Sequence, residues 1–167
     1  MAAARALVGF GGNLSVPARQ IAAALHRLAH WPGVTGLRCS RLYRSPPWGT
    51  ADQPDYVNAV ACLDHEGGAD ALLQGLLAIE REAGRRRGDD RWGPRSLDLD
   101  LLVYGDLRID RPGLQVPHPR LAERPFVLLP MAELVPDLAL PGHGTVAARA
   151  AEVDAAGTAA IDWPARA

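Results

Sequence analysis

The chain has 167 residues, 48% of them hydrophobic and 22% charged, with a formal net charge of −1. That length suits one domain, residues 1 to 167, burying roughly 70% of its unfolded surface without disulfide or metal staples, and the charge gives no general pull toward nucleic acid or membrane. All 18 basic residues are arginine, which excludes the two lysine-dependent routes to phosphoryl transfer, the Walker A loop and the protein-kinase fold.

In chain order, "RALVGF" (5 to 10) is an apolar strand that runs into a turn at Gly11, Gly12 and Asn13. Ser15 can cap a helix that tolerates Pro17 in its first turn, and Ile21, Leu25 and Leu28 give that helix one apolar face. "VTGLRCSRLY" (34 to 43) alternates as a second strand and "YVNAVACL" (56 to 63) as a third. The segment between them, "RSPPWGTADQPDY", holds three prolines and a glycine, which forbid regular structure there. Ala69 to Ala83 reads as a second helix with Leu72, Leu76, Ile79 and Ala83 on one face and Gly84 at its end. A strand over Leu97 to Tyr104 follows.

The order β-α-β-β-α-β predicts an α+β, ferredoxin-like sandwich, an antiparallel sheet with helices on one face. Downstream, "QVPHPRLAERPF" reads as loop with one helical turn, and "VLLPMAEL" and "TVAARAAEVDAA" as additional C-terminal helices of the same domain. No internal repeat interrupts it. Cys39 and Cys62 lie in apolar runs without CxxC spacing and read as reduced, buried thiols. With no signal-peptide pattern or membrane-length apolar stretch, a cytoplasmic protein with no membrane partner is expected.

"RWGPRSLDLDLLVYGD" (91 to 106) sets two acids into that last strand. Alternation sends Asp98 and Asp100 to one side and Leu97, Leu99 and Leu101 to the other. Two like charges at about 5 to 7 Å repel by roughly 2 to 3 kcal/mol at an effective dielectric near 20, so something positive belongs between them. Arginine partners are one answer. A divalent metal bridging to phosphate oxygens is the other. The preceding loop, with Arg85, Arg86, Arg87, Arg91 and Arg95, can pair with Asp89 and Asp90 as a solvated surface, or can hold a polyphosphate through guanidinium forks. The loop after residue 44 stiffens at Pro46 and Pro47 and offers the flat faces of Trp48 and Tyr56 and the amide of Asn58. That set suits a packed loop or a slot for a planar heterocycle.

Other motifs carry less. "GFGGNL" lacks the third glycine of the dinucleotide fingerprint, which Leu14 replaces. His26, His30 and His65 read as exposed, without special role. His118, between two prolines, reads as a placed side chain.

The run "RWGPRSLDLDLL" resembles the signature of the 6-hydroxymethyl-7,8-dihydropterin pyrophosphokinases of folate biosynthesis. The resemblance runs in order through "GGNL", "YRSPPWG", "DQPDYVNA", "IEREAGRRR", "VPHPRLAERPF" and "LVPDL", over residues 6 to 140. It implies the ferredoxin-like fold and transfer of pyrophosphate from ATP to the pterin's hydroxymethyl oxygen, releasing AMP. It implies that Asp98 and Asp100 hold two Mg²⁺ ions and, with Arg85 and Arg95, carry catalysis. It places Glu80, Arg85, Arg87, Trp92, Arg95, Leu101, His118 and Arg124 around ATP. It places Ser45, Pro46, Trp48, Tyr56, Asn58 and Phe126 around the pterin, and a monomer is expected. Gly12, Gly88 and Pro119 depart from residues common in the family, so a hydroxyl contact is absent at Gly12, a basic side chain at Gly88 and an aromatic stacking face at Pro119.

Two other readings compete. A ferredoxin-like nucleic-acid-binding module is disfavoured by acids at the centre of the face and by the near-neutral charge. Another two-metal nucleotidyl transferase would release pyrophosphate in place of AMP.

Overall fold

The computed structural model describes residues 2–13, 16–47, 53–83 and 97–164. In chain order the elements are β1 (Ala4–Gly12), α1 (Pro17–Ala29), β2 (Val34–Cys39), β3 (Leu42–Ser45), β4 (Tyr56–His65), α2 (Ala69–Glu82) and β5 (Asp98–Tyr104). Then follow β6 (Ile109–Arg111), β7 (Leu114–Val116), a 3-10 turn at Leu121–Glu123, α3 (Pro125–Leu134), β8 (Ala139–Leu140), β9 (Gly144–Thr145), α4 (Val146–Glu152) and β10 (Ala159–Ile161). Ser15 and Gly84, expected at helix ends, lie outside the described residues.

The main sheet runs β10-β3-β4-β1-β5, with β2 also pairing β4, and every pairing is antiparallel. Strand alternation gives it two buried faces. On the first, Ala6, Val8 and Phe10 of β1, Ala59, Ala61 and Leu63 of β4, and Leu99 and Leu101 of β5 meet Ile21, Leu28, Leu72, Leu76 and Ile79 of α1 and α2. Gly75 lets α2 approach closely, since a Cβ there would lie 2.5 Å from Trp31 Nε1. On the second face Leu7, Val60, Cys62, Leu102 and Val103 meet Val127, Leu128 and Met131 of α3. The expectation of helices on one face is thus corrected. The apolar run of α3 has its own sheet surface to bury against, and α4 adds Val146 to the same cluster.

Three further expectations are corrected. The strand predicted over 34 to 43 is two strands, because Ser40 disrupts the ladder. Its Oγ, in place of a backbone carbonyl, accepts the Val60 N–H at 3.0 Å, while its own carbonyl accepts from Trp163 Nε1 at 3.2 Å. His65, read as exposed, is only 2% exposed. Its Nδ1 lies 2.8 Å from the Tyr104 hydroxyl, which also accepts the Gly68 N–H at 3.1 Å. The segment read as loop before Phe126 begins with β7, paired to β6 in a hairpin. Cys39 and Cys62 are free thiols, and burial with the Glu133 carboxylate nearby pushes Cys39 up to about 12. Among the described residues no helix is long and apolar enough to cross a membrane.

Candidate active site

The first half of the second face is packed and the other half is open. The difference begins in β1, where Leu7, Gly9 and Gly11 alternate onto that face. Leu7 is fully buried under α3, whereas Gly9 and Gly11 add no side chain and form the floor of a cavity of about 250 Å³. A glycine inside a strand marks a place where another group comes close. Here that group is Asn58, whose Oδ1 would lie 2.6 Å from a Cβ at Gly11.

The register sets the cavity's width. Gly11 pairs with Asn58 on one side and Asp98 on the other, and Gly9 pairs with Val60 and Asp100. Asn58 and Asp98 therefore stand two strand spacings apart, roughly 10 Å. Ser45, paired with Tyr56, closes one end, and Arg124, Phe126 and Val127 at the start of α3 form the roof. The Arg124 guanidinium carbon lies 5.7 Å from the Phe126 ring centroid, within cation–π reach.

Beyond the acids lies a second, more open cavity of about 730 Å³ between α2, β5 and the β6–β7 hairpin. Leu73 and Leu77, with Leu114, give one part of it apolar walls, and Glu80, Leu101, Gln115 and His118 line the rest. Asp98 and Asp100 line both cavities. Arg111, on the hairpin, pairs with Asp70 at the start of α2.

The backbone at the boundary is held by specific contacts. Glu80 is 6% exposed, and its Oε1 accepts the Leu99 N–H at 2.7 Å, which fixes the entry of β5 against α2. Its carboxylate, expected near the nucleotide, lines that cavity while also anchoring the strand that carries the acids. The His118 N–H donates to the Leu102 carbonyl at 2.8 Å, and its Nδ1 accepts the Arg120 N–H at 3.2 Å. Burial lowers the His118 pKa, Asp100 opposes that shift, and Arg124 and Arg120 add to it. A neutral ring with Nδ1 accepting carries its proton on Nε2 and offers it as a donor.

Of the expected residues, Ser45, Tyr56, Asn58 and Phe126 come together in the smaller cavity and Glu80, Leu101 and His118 in the larger. Arg124, expected with the phosphates, lines the smaller cavity, while its charge reaches His118 in the larger. Pro46 is not among the lining residues and sits 3.1 Å from where a Cβ on Gly157 would be. Trp48, Arg85, Arg87, Trp92 and Arg95 lie outside the described residues, as do Arg86, Arg91 and Gly88. The reading from sequence missed the floor glycines, Gly9 and Gly11, whose signal was two glycines at i and i+2 within an apolar strand.

Two adjoining cavities that share an acid pair suit an α+β enzyme with two small substrates. The family model described as 7,8-dihydro-6-hydroxymethylpterin-pyrophosphokinase (HPPK) matches residues 7–136. A Pseudomonas aeruginosa 2-amino-4-hydroxy-6-hydroxymethyldihydropteridine pyrophosphokinase is 50% identical over 137 residues, covering 82% of this chain and 84% of its own. The Methylorubrum extorquens protein of the same name is 39% identical over 158 residues, covering 95% and 99%. A solved Plasmodium falciparum wild-type HPPK-DHPS with pteroate superposes with TM-score 0.71 at 11% identity, over 90% of this chain and 44% of that one. At that identity the likeness speaks for the fold alone, and the chain spans less than half of that longer protein. The chain belongs to the HPPK family, the ATP-dependent pyrophosphokinases that act on hydroxymethyldihydropterin in folate synthesis.

Proposed function

We propose that the smaller cavity holds 6-hydroxymethyl-7,8-dihydropterin, the larger one ATP, and that the reaction takes place where Asp98 and Asp100 face both. The single observation that carries this reading is that shared wall. Pyrophosphoryl transfer needs the pterin hydroxymethyl oxygen beside the β-phosphorus, with AMP leaving. Positioning and charge neutralisation supply most of such catalysis.

On this reading the pterin ring stacks between Tyr56 and Phe126, and Asn58 reads its edge as donor and acceptor together. Ser45 adds a hydroxyl, and Pro46 and Trp48 contribute backbone groups. His118, through Nε2–H, and Arg124 hold phosphate oxygens, with Arg85, Arg87 and Arg95 from the preceding loop. Glu80, Trp92 and the backbone at Leu101 bound the nucleotide.

Asp98 is half-buried and Asp100 exposed, an all-oxygen pair of the kind Mg²⁺ takes when substrate phosphates complete its shell. Among the described residues no three His, Cys, Asp or Glu side chains form a cage that would hold an ion without substrate. Asp98 and Asp100 would hold two Mg²⁺ ions, which supply charge neutralisation of the phosphates when bound. The order β2/β3-β4-β1-β5, with α1 and α2 on one face, supports the ferredoxin-like description of the core. A monomeric, cytoplasmic protein with no nucleic-acid or membrane partner completes the proposal, and the net charge of −1 supports the absence of those two partners.

The test is to incubate the protein with ATP, Mg²⁺ and hydroxymethyl-dihydropterin. The expected products are AMP and the pterin diphosphate. Release of pyrophosphate, or no pterin-dependent AMP, would overturn the reading.

A further inference from the structure

Behind the wall that carries His118 lies a third hollow of about 390 Å³, between the β6–β7 hairpin, the Leu121 turn and the β8–β9 hairpin. Ile109, Val116, Leu121 and Leu140 give it apolar walls, and the exposed side chains of Arg108 and His143 stand at its rim. Among the described residues neither of these two side chains enters a hydrogen bond or an ion pair. The one acid on the wall, Asp110, accepts the Gln115 amide at 2.8 Å. A hollow of this size suits a small organic molecule rather than an ion. Its apolar interior calls for a flat hydrocarbon body, and nitrogen donors at the rim call for an anionic group on it.

We propose that this hollow is a second ligand site, one that takes a small aromatic anion with its ring against Leu121 and Leu140 and its charge on Arg108 and His143. The site is separate from the cavities assigned to the substrates, yet it is not independent of them. Asp110, Gln115, His118 and Pro119 line both this hollow and the larger cavity. An occupant on one side of so thin a wall alters the positions open to those side chains on the other. Coupling between two sites is reciprocal, and its usual size is about 5- to 150-fold in affinity. The coupling rests on ATP occupying the larger cavity; binding in the hollow does not.

The probe is 8-anilinonaphthalene-1-sulfonate, titrated into the full chain by fluorescence and followed by amide chemical shifts. Saturable one-to-one binding is expected, with shifts at Ile109, Leu121, Leu140 and His143. The double variant Arg108→Ala/His143→Ala should weaken it about tenfold, as loss of charge-assisted contacts does. Leu140→Trp should abolish it by filling the hollow. Because Arg108 and His143 are exposed and outside the substrate cavities, their double variant should stay folded and keep its basal turnover. A non-hydrolysable ATP analogue should change the probe's affinity at least about fivefold, and the probe should change the analogue's by the same factor. Unchanged binding in both variants, or shifts confined to Tyr56 and Phe126 or to Leu73 and Leu77, would overturn the site. Complete competition with the analogue would also overturn it, by placing the probe in the larger cavity. Binding as expected without reciprocal change would overturn the coupling alone, and AMP release by the same sample would show whether the ATP reading itself stands.

Discussion

The two faces of the main sheet are made by the same strands and treated in opposite ways. The face under α1 and α2 is filled from end to end, with Val8, Phe10, Leu63, Leu72, Leu76 and Ile79 each 2% exposed or less. The face under α3 is filled only as far as Leu7, Val60 and Leu102, and beyond them Gly9, Gly11, Asn58, Asp98 and Asp100 leave it open. The division is therefore between faces of one sheet, with close packing concentrated on one and open cavity space, where the proposal places the pterin, on the other. A strand with period 2 can serve both because, away from the extra residue in β5, adjacent residues do not share a face.

The comparison breaks first, and most heavily, on the filled face. Leu76→Ala should cost about 2–5 kcal/mol of stability, read from the urea midpoint, with the Michaelis constant for pterin unchanged in the folded fraction. A variant that lost pterin affinity without losing stability would show that the faces are not separable. On the open face, Asp98→Asn or Asp100→Asn should lower pterin-dependent AMP release by about 10²–10³-fold, while circular dichroism stays native. Near wild-type turnover would remove the acids from the chemistry.

The floor glycines sharpen the contrast further. Gly11→Ala drives a methyl to 2.6 Å from Asn58 Oδ1, and pterin affinity should fall about tenfold, or about 1.4 kcal/mol by calorimetry. Gly9→Ala first meets Leu102, at an ordinary 3.5 Å, so its fold should be kept and its affinity loss should be smaller. Equal effects at the two positions would mean that Asn58 is not the constrained group.

The smallest effect concerns pH and belongs to the filled face. Burial lowers the His65 pKa from its usual 6.5, with Glu66 opposing the shift. The unfolded chain then binds the proton more readily, so this contribution is complete above pH 6.5, falls below it, and levels off under the folded pKa. The urea midpoint should decline between pH 7 and pH 5, and His65→Gln should flatten the slope. Burial also holds His118 low, so a residual slope in that variant is expected from the larger cavity.

Much of this was readable in the sequence, and the reasons differ by region. The six core elements were legible because one buried face imprints its period on each segment, and Asp98 and Asp100 stood out because acids interrupt that imprint. Ser45, Tyr56, Asn58 and Phe126 were legible through ordered motifs. The break at Ser40 was not, because a hydroxyl that replaces a backbone acceptor leaves the apolar pattern intact. His65 was misread because its burial depends on Tyr104, 39 residues further along. The β6–β7 hairpin was missed because three-residue strands carry too few side chains to show a period. The floor is not legible because the glycines of "GFGG" read equally as a turn or a dinucleotide motif, and missing volume on one face leaves no side chain to mark it.

One irregularity in β5 has a consequence for how this chain can change. Between Leu101, which pairs with Val8, and Val103, which pairs with Leu7, Leu102 is an extra residue. It acts as a phase slip. Upstream, the even-numbered acids face the smaller cavity. Downstream, even-numbered Tyr104 turns to the opposite side to reach His65. The strand thus contains two clocks set half a period apart, and removing one residue at that point would force one of them to strike on the wrong side. The length of the segment joining the acids to Tyr104 is fixed by the opposite faces that the two ends must reach.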